Sequence, residues 1–226
     1  MRIAAVLAGF LVCVSAAGAD NDGSSDAERA DGLRQMLLQC AHAAVDTLGV
    51  ANGFLENPLV RIPLPGTLQK AESMMRALGA GKHADNLVTG MNRVAEMAVA
   101  TDEARTLLAE AVARMPVEDP AALLAEGGDA ATRYFRAHAS ERLAREFPPV
   151  VRGVMGEVDL ARKYQDFVRK GGKLGLVAER YANVEDYIAQ KALEALYLEM
   201  AGEERLIRAN PGRGGATLQR VLDTAE

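Results

Sequence analysis

Apolar residues recur at intervals of three and four along most of this chain, which is the period of a helix that buries one face. The clearest stripe begins after Ser25 and stops at Gly49. Its members are Leu33, Met36, Leu37, Cys40, Ala44 and Leu48. Ser25 and Glu28 have the spacing of a capping box, in which each side chain accepts a hydrogen bond from the other residue's backbone N–H. The pattern predicts an amphipathic helix that ends at Gly49.

The helical period is lost between Val50 and Gly66. Pro58, Pro63 and Pro65 lack a backbone donor and disfavour a helical turn before them. Structureless connections of this length are uncommon in compact domains, so the segment is either a functional loop or a loop packed by its own side chains. The apolar side chains available for such packing are Phe54, Leu55, Leu59, Ile62 and Leu64.

Helical spacing then returns in a series of segments separated by glycine and proline. These stripes occupy residues 68–78, 87–98, 107–115, 134–147, 150–158, 160–167, 188–207 and 218–222. Asp119 before Pro120 predicts an N-cap with proline at the first helical position, and Asp129 is placed to cap the next helix. We expect that helix to end at Pro148.

No segment alternates apolar and polar residues as a half-buried strand does, and none has a two-residue hairpin signal. The sequence therefore predicts an all-α fold. We expect a single-domain multi-helix bundle over residues 26–226, with a long Pro-rich loop after the first helix. About two hundred residues are enough to bury a core in one domain without metal or disulfide support.

The amino terminus has the three parts of a secretory signal peptide. Arg2 is followed by an apolar stretch over residues 3–14 and then by small residues over 15–19. The triplet Ala-Gly-Ala at 17–19 matches an A-x-A site and predicts cleavage after Ala19.

The alternative to cleavage is a retained membrane anchor. The apolar stretch is shorter than the roughly 20 residues that a membrane-spanning helix needs, so we favour cleavage. Residues 1–19 are then a signal peptide and residues 20–25 a short linker rich in Asp, Asn, Gly and Ser. We expect the mature protein to be periplasmic or secreted, without a transmembrane segment after cleavage.

Charge and cysteine content narrow the classes of partner. The chain has 26 basic and 31 acidic residues, and loss of Arg2 with the signal peptide changes the formal charge from −5 to −6. An acidic chain without a basic stripe is a poor nucleic-acid binder, because phosphate neutralisation needs clustered Lys and Arg. Cys40 is the only cysteine after cleavage, which excludes an internal disulfide and favours a buried, inert thiol.

Five short motifs follow one another after the predicted linker. They are Gly-Phe-Leu-Glu-Asn-Pro at 53–58, Met-Asn-Arg-Val-Ala-Glu at 91–96, Gly-Gly-Asp-Ala-Ala-Thr at 127–132, Val-Glu-Asp-Tyr-Ile at 184–188, and Glu-Glu at 203–204 before Ile-Arg and Asn-Pro. In this order they resemble the bacterial exported family known only as domain of unknown function 4197. The chain departs from the usual family pattern at Pro120 and in the glycine-rich residues 212–215. The resemblance implies an exported helical protein without an established activity.

Side chains that commonly carry catalysis are sparse and scattered. Ser73 and Ser140 are the only serines after the linker, and neither lies in a G-x-S-x-G motif. His42, His83 and His138 fall on separate predicted helices without metal-ligand spacing. We therefore predict no catalytic residue, no metal site and no cofactor.

The motifs nevertheless concentrate polar residues. The set is Asn92, Arg93, Glu96, Asp129, Thr132, Tyr134, Glu185, Asp186, Lys191, Glu204, Arg208 and Asn210. Arg93 and Glu96 are three residues apart and Glu204 and Arg208 four, so each pair shares a helix face. In a structural interpretation, which we favour, these residues form caps and interhelical ion pairs. In a functional interpretation they converge in a groove and bind a ligand.

Three functions are compatible with these patterns. The first is a non-enzymatic periplasmic protein that binds a protein or a small molecule of the cell envelope. The second is a glycoside-type hydrolase that uses Glu96, Asp129 or Glu204 as general acid and base, since two carboxylates suffice for that chemistry. The third is a structural component of the envelope that associates through apolar side chains of its loop, such as Phe54 and Leu55.

Overall fold

The computed structural model describes residues 25–173 and 184–223, and the predicted signal peptide, most of the linker and Asn183 lie outside them. The described residues form helices without a strand, so the predicted all-α class is confirmed. The α-helices are α1 (Asp26–Leu48), α2 (Gly66–Ala77), α3 (Lys82–Ala100), α4 (Asp102–Arg114), α5 (Pro120–Glu126), α6 (Ala130–Met155), α7 (Leu160–Lys173), α8 (Val184–Ala209) and α9 (Gly215–Asp223). A short 3-10 helix, Pro211–Gly214, separates α8 from α9.

Helix α1 has the boundaries that its local sequence predicts. The Ser25 hydroxyl accepts from the Glu28 N–H at 3.3 Å, and Glu28 accepts from the Ser25 N–H at 2.8 Å, which completes the capping box. The apolar stripe of α1, including Leu33 and Leu48, is fully buried. Helix α1 therefore lies at the centre of the bundle.

Helix α8 packs against both α1 and α6, and these three long helices form the core of the fold. Leu196, Met200 and Ile207 of α8 are fully buried between them. Removing such side chains from water supplies about 1.5 to 3 kcal/mol each. The shorter helices surround this core: α4 packs against α1 and α6, and α7 packs against α3.

Helix α6 continues through Pro148 and Pro149 to Met155, so the predicted end of this helix at Pro148 is wrong. Proline inside a helix removes one hydrogen bond and crowds the preceding turn. The apolar stripe nevertheless continues on both sides of the two prolines, where Phe147 and Val151 are fully buried. Packing against the core offsets the local cost, which sequence propensity alone does not show.

Residues 49–65 connect α1 to α2 without helix, and they lie against the bundle. Phe54, Ile62 and Leu64 are fully buried, whereas Leu59 is 78% exposed. The Tyr187 hydroxyl of α8 donates to the Pro63 carbonyl at 3.1 Å. This connection, which we call the proline loop, is therefore a packed part of the fold that presents one leucine outward.

None of the helices in the described part of the chain combines the length and the apolar composition that a membrane crossing requires.

Candidate functional site

Two buried carboxylates organise most of the motif residues. Glu96 of α3 and Glu204 of α8 are 3% and 0% exposed, and each is surrounded by hydrogen-bond donors. A buried carboxylate costs several kcal/mol unless it is paired and hydrogen-bonded. The surroundings of each therefore define a separate polar centre in the fold.

Glu96 fastens the proline loop to α3. One carboxylate oxygen accepts from the backbone N–H groups of Phe54 and Leu55 at 3.1 and 3.0 Å. The other oxygen pairs with Arg93 at 2.6 Å, and the same guanidinium donates to the Asn52 side chain at 2.7 Å. Charge-assisted bonds of this kind are roughly twice as strong as neutral ones. The first and second motifs thus form one structural unit.

Asn92 fastens the other end of the same loop. Its amide oxygen accepts from the Ile62 N–H at 2.9 Å, and its amide nitrogen donates to the Ile62 carbonyl at 2.9 Å. The nitrogen also donates to the Val88 carbonyl at 2.8 Å. A fully buried amide that engages both backbone groups of one residue imitates a strand partner. The loop is consequently held at two points by one face of α3.

Glu204 caps the amino terminus of α6. Its two carboxylate oxygens accept from the backbone N–H groups of Ala131 and Thr132 at 3.0 and 2.7 Å. Arg208 donates to the same carboxylate at 2.9 Å and to the carbonyls of Leu123 and Leu124 at the end of α5. Negative charge at a helix amino terminus and positive charge at a carboxyl terminus both complement the helix dipoles. This arrangement joins the third and fifth motifs.

Asp129 occupies the N-cap position of α6, but its side chain makes no capping hydrogen bond there. The cap that the sequence assigns to Asp129 comes instead from Glu204, whose carboxylate already holds the first free amides. Asp129 turns toward cations: it pairs with Arg133 at 2.5 Å and also with Arg205 of α8. It is a charge bridge between α6 and α8.

The remaining motif residues are distributed over several places. Glu185 pairs with Arg152 of α6 at 2.6 Å, and Lys191 pairs with Glu194 at 2.6 Å. Tyr134 packs on the ring of His138 with centroids 4.1 Å apart. Asp186 and Asn210 are exposed.

A surface groove lies where the proline loop, the first turns of α6 and the middle of α8 meet. It has a volume of about 520 Å³, within the roughly 300 to 1,000 Å³ of small-molecule sites. Asp129, Thr132 and Lys191 of the predicted set line it. Its basic residues are Arg61, Arg133, Arg136, Lys191 and Arg205, and its acidic residues are Asp129 and Glu194. Five positive against two negative charges leave a formal balance of +3, and we call this surface the basic groove.

Two arginines of the basic groove lack a carboxylate partner in the described part of the chain, Arg61 and Arg136. Arg136 lies over the Tyr197 ring, 5.4 Å from its centroid, which is cation–π distance. The buried Thr132 hydroxyl and Tyr197 hydroxyl also lack a hydrogen-bond partner within the described residues. Burial raises the pKa of Tyr197 to about 12, so the phenol keeps its proton. The groove therefore presents two arginines without a carboxylate partner among the described residues.

A second, smaller cleft of about 330 Å³ adjoins the basic groove between α6 and α8. The two share Arg136, Glu194 and Tyr197, and the second cleft adds Asp186. The polar set predicted from the sequence includes Lys191 and Asp186 but not Arg61 and Arg136. One signal was available for Arg136, which is four residues after Thr132 and so lies on the same face of α6.

The described residues contain no group of three His, Cys, Asp or Glu side chains arranged to hold a metal ion. Cys40 is fully buried in α1, and burial raises the pKa of its thiol well above the usual range. A protonated, inaccessible thiol is a poor nucleophile.

These features define a class: an all-helical protein with internally neutralised carboxylates and one basic surface groove. The chain belongs to the family described as "Protein of unknown function (DUF4197)", which matches residues 23–223. The family inferred from the five motifs is thereby confirmed. Comparison with curated proteins gives no match, and neither does comparison with solved structures.

Proposed function

We propose that this protein is a non-enzymatic binding protein of the cell envelope and that its ligand occupies the basic groove. The observation that carries the proposal is a groove of ligand size with two arginines, Arg61 and Arg136, that lack an ion-pair partner among the described residues. Among the charged motif residues, by contrast, Glu96, Asp129 and Glu204 are paired with arginines within the fold. Unneutralised charge in a concave surface is characteristic of binding sites.

The hydrolase alternative has less support from the geometry of its carboxylates. Glu96 and Glu204 are each occupied by two backbone N–H groups and one arginine. Asp129 is held by two arginines. A general acid or base must lie within hydrogen-bond reach of the substrate, and the oxygens of these carboxylates already accept hydrogen bonds from the protein itself. We therefore retain binding as the proposed function.

The envelope-component alternative depends on apolar side chains of the proline loop. Phe54 is fully buried and Leu55 is half-buried, so the loop does not present them as a joint apolar edge. Leu59 is exposed, but it lines the basic groove. Leu59 therefore belongs to the proposed binding site, while Val50, which is 54% exposed, lies outside the groove lining.

Binding can be tested with a groove-blocking substitution. Leu198 lines the groove and is 45% exposed, whereas Leu206, on the same helix and 53% exposed, does not line it. We expect native mass spectrometry of protein isolated from periplasmic extract to show a bound species on the wild type and on Leu206→Trp, and to show none on Leu198→Trp. Bare protein in all three samples, or retention by Leu198→Trp, would contradict the proposal.

Export is part of the proposal and has its own test. The full chain and a chain without residues 2–19 are expressed in a bacterium with a periplasm, and the two compartments are separated. We expect the full chain in the periplasmic fraction with an amino terminus at Asp20, and the shortened chain in the cytoplasmic fraction. Full-length protein with an intact leader in the cytoplasm would exclude the periplasmic assignment.

A further inference from the structure

The charge of the basic groove is opposite to that of the chain as a whole. The chain has a formal charge of −5, whereas the residues lining the groove sum to +3. Three of the five cations are near the two acidic residues: Lys191 pairs with Glu194, and Arg133 and Arg205 share Asp129. Arg133 also pairs with Glu126 just outside the groove lining, so the charge that remains without a partner among the described residues is the +2 of Arg61 and Arg136. A ligand that neutralises it must be an anion.

Arginine limits the type of anion. A guanidinium presents its N–H groups in a planar fork that matches two oxygens of a phosphate or a carboxylate. Arg136 is already oriented by the Tyr197 ring, which reduces the entropy lost when it binds. Thr132 and Tyr197, which are 3% and 6% exposed, line the same groove, and their buried hydroxyls have no hydrogen-bond partner within the described residues.

A purely inorganic anion leaves the rest of the groove unused. Leu59 and Leu198 are 78% and 45% exposed, and both line the groove together with Pro63 and Ala195. Covering apolar surface is favourable roughly in proportion to the area removed from water. Exposed leucines beside unpaired arginines thus fit a ligand with an apolar part next to its charge.

We infer that the basic groove binds a small amphiphilic anion: a phosphate or carboxylate group that carries an apolar chain. The anionic group lies between Arg61 and Arg136, and the chain covers Leu59 and Leu198. This inference rests on the proposed function and specifies the class of its ligand.

Calorimetric titration with matched probes tests both halves of the ligand. The probes are octyl phosphate and octanoate, each below its micelle concentration, with inorganic phosphate and octyl glucoside as the head-only and uncharged-chain controls. We expect both octyl anions to bind at least about tenfold more tightly than either control. Equal affinity for octyl glucoside would overturn the anionic part, and equal affinity for inorganic phosphate would overturn the apolar part.

Charge-matched variants locate the head group. We expect the double variant Arg61→Ala/Arg136→Ala to weaken octyl phosphate binding at least about tenfold, because charged hydrogen bonds are lost. The control Arg114→Ala/Arg145→Ala also removes two exposed arginines, both outside the groove, and is expected to leave affinity unchanged. Equal effects of the arginine variants would overturn the placement, and circular dichroism verifies that each variant is folded.

Leucine variants locate the chain. We expect Leu198→Ala to weaken octyl phosphate without changing the affinity for inorganic phosphate, and Leu206→Ala to change neither. The octyl anions could fail to bind while Leu198→Trp still abolishes binding of the native ligand. That outcome would reject this ligand class and leave the proposed binding function standing. If the octyl anions do not bind and Leu198→Trp does not abolish binding of the native ligand, both the ligand class and the proposed binding function are rejected.

Discussion

At the scale of single residues, Glu204 is a carboxylate whose every contact serves the fold. It is 0% exposed and joins α8 to the first turn of α6, while Arg208, bound to the same carboxylate, reaches the end of α5. Breaking a buried ion pair from one side leaves the other charge without compensation. The polar motif residues thus include groups that determine packing rather than bind a ligand.

We expect Glu204→Ala to lower the free energy of unfolding by about 3 to 5 kcal/mol, since Arg208 then loses its buried partner. Glu204→Gln keeps an acceptor but loses the charge, and we expect a loss of about 1 to 3 kcal/mol. Urea unfolding at pH 7 measures both. Glu141→Gln, on an 89% exposed side chain, is the control and should change stability by less than about 0.5 kcal/mol. Equal effects of Glu204→Ala and Glu141→Gln would contradict the assignment.

Cys40 is the second residue with a testable consequence, because burial and the nearby Glu204 and Glu203 raise the pKa of its thiol. In the unfolded chain the thiol ionises at about pH 8.5. The folded state still holds the proton above that pH, so the unfolded state binds fewer protons and the free energy of unfolding falls as the pH rises. The stabilising contribution is complete below about pH 8.5.

We expect the stability difference between wild type and Cys40→Ala to shrink by about 1 to 2 kcal/mol between pH 8 and pH 10, at about 1.4 kcal/mol per pH unit. Urea unfolding of both proteins across this range measures the difference, and the variant removes every other titration from the comparison. A difference that is independent of pH would show that the thiol ionises equally in both states.

At the scale of elements, the proline loop approaches α1 so closely that one position admits only glycine. A Cβ on Gly53 meets the Leu48 carbonyl oxygen at 2.4 Å and the Thr47 carbonyl oxygen at 2.8 Å, both rigid backbone atoms. This approach places the amides of Phe54 and Leu55 within reach of Glu96. Glycine here is required by space, since the helix end and the loop touch.

We expect Gly53→Ala to lower the unfolding free energy by about 1 to 3 kcal/mol, the cost of overpacking, and to speed hydrogen exchange of the Phe54 and Leu55 amides. Gly66→Ala is the matched control, because a Cβ there meets nothing within 4 Å. Its effect should stay within about 0.5 kcal/mol. If the two variants are equally stable, the close approach of the proline loop to α1 does not contribute to stability.

In helix α6, by contrast, we expect one substitution to raise the stability of the fold. Pro149 is exposed inside the helix, where proline is about 3 kcal/mol less favourable than alanine. We expect Pro149→Ala to raise the unfolding free energy by about 1 to 2 kcal/mol, after allowance for a more flexible unfolded chain. Thermal unfolding measures the change. Pro120→Ala, at a helix start where proline fits, should give no gain.

Local sequence determines which elements could be predicted. The start of α1 after Ser25 and its end at Gly49 depend on neighbouring residues, and both agree with the structure. The cap of α6 could not be found in this way, because Glu204 is separated from its amide partners by 72 and 73 residues. The same applies to Pro148, where distant packing outweighs local preference.

The basic groove could be predicted from the sequence only in part, because its residues are also distant from one another along the chain. Its cations come from the proline loop, α6 and α8, so none of these segments alone forms the basic stripe that sequence inspection seeks. Lys191 could be named because it lies in a motif. Arg136 has only its helical spacing from Thr132 as a signal and Arg61 has none, because only the folded chain shows that both face one groove without carboxylate partners among the described residues.

At the scale of the whole molecule, α8 connects the other parts, since it packs against α1 and α6 and lines the basic groove. A chain of residues 20–183 lacks α8 and α9 and leaves the stripes of α1 and α6 exposed to water. We expect it to show no cooperative urea transition by circular dichroism, whereas residues 20–226 unfold in one step. A cooperative transition in the shorter chain would mean that the amino-terminal helices fold independently.

If the chain is exported as we propose, the order of synthesis gives the Glu204 cap a further consequence. The amides of Ala131 and Thr132 leave the ribosome more than seventy residues before the carboxylate that receives them. Until Glu204 has been synthesised, the N–H groups at the start of α6 lack their acceptor, and the apolar stripe of α1 lacks α8 to pack against. We expect such a chain to stay unfolded until its last fifth is made, as passage through a translocation channel requires, and to complete the bundle after export.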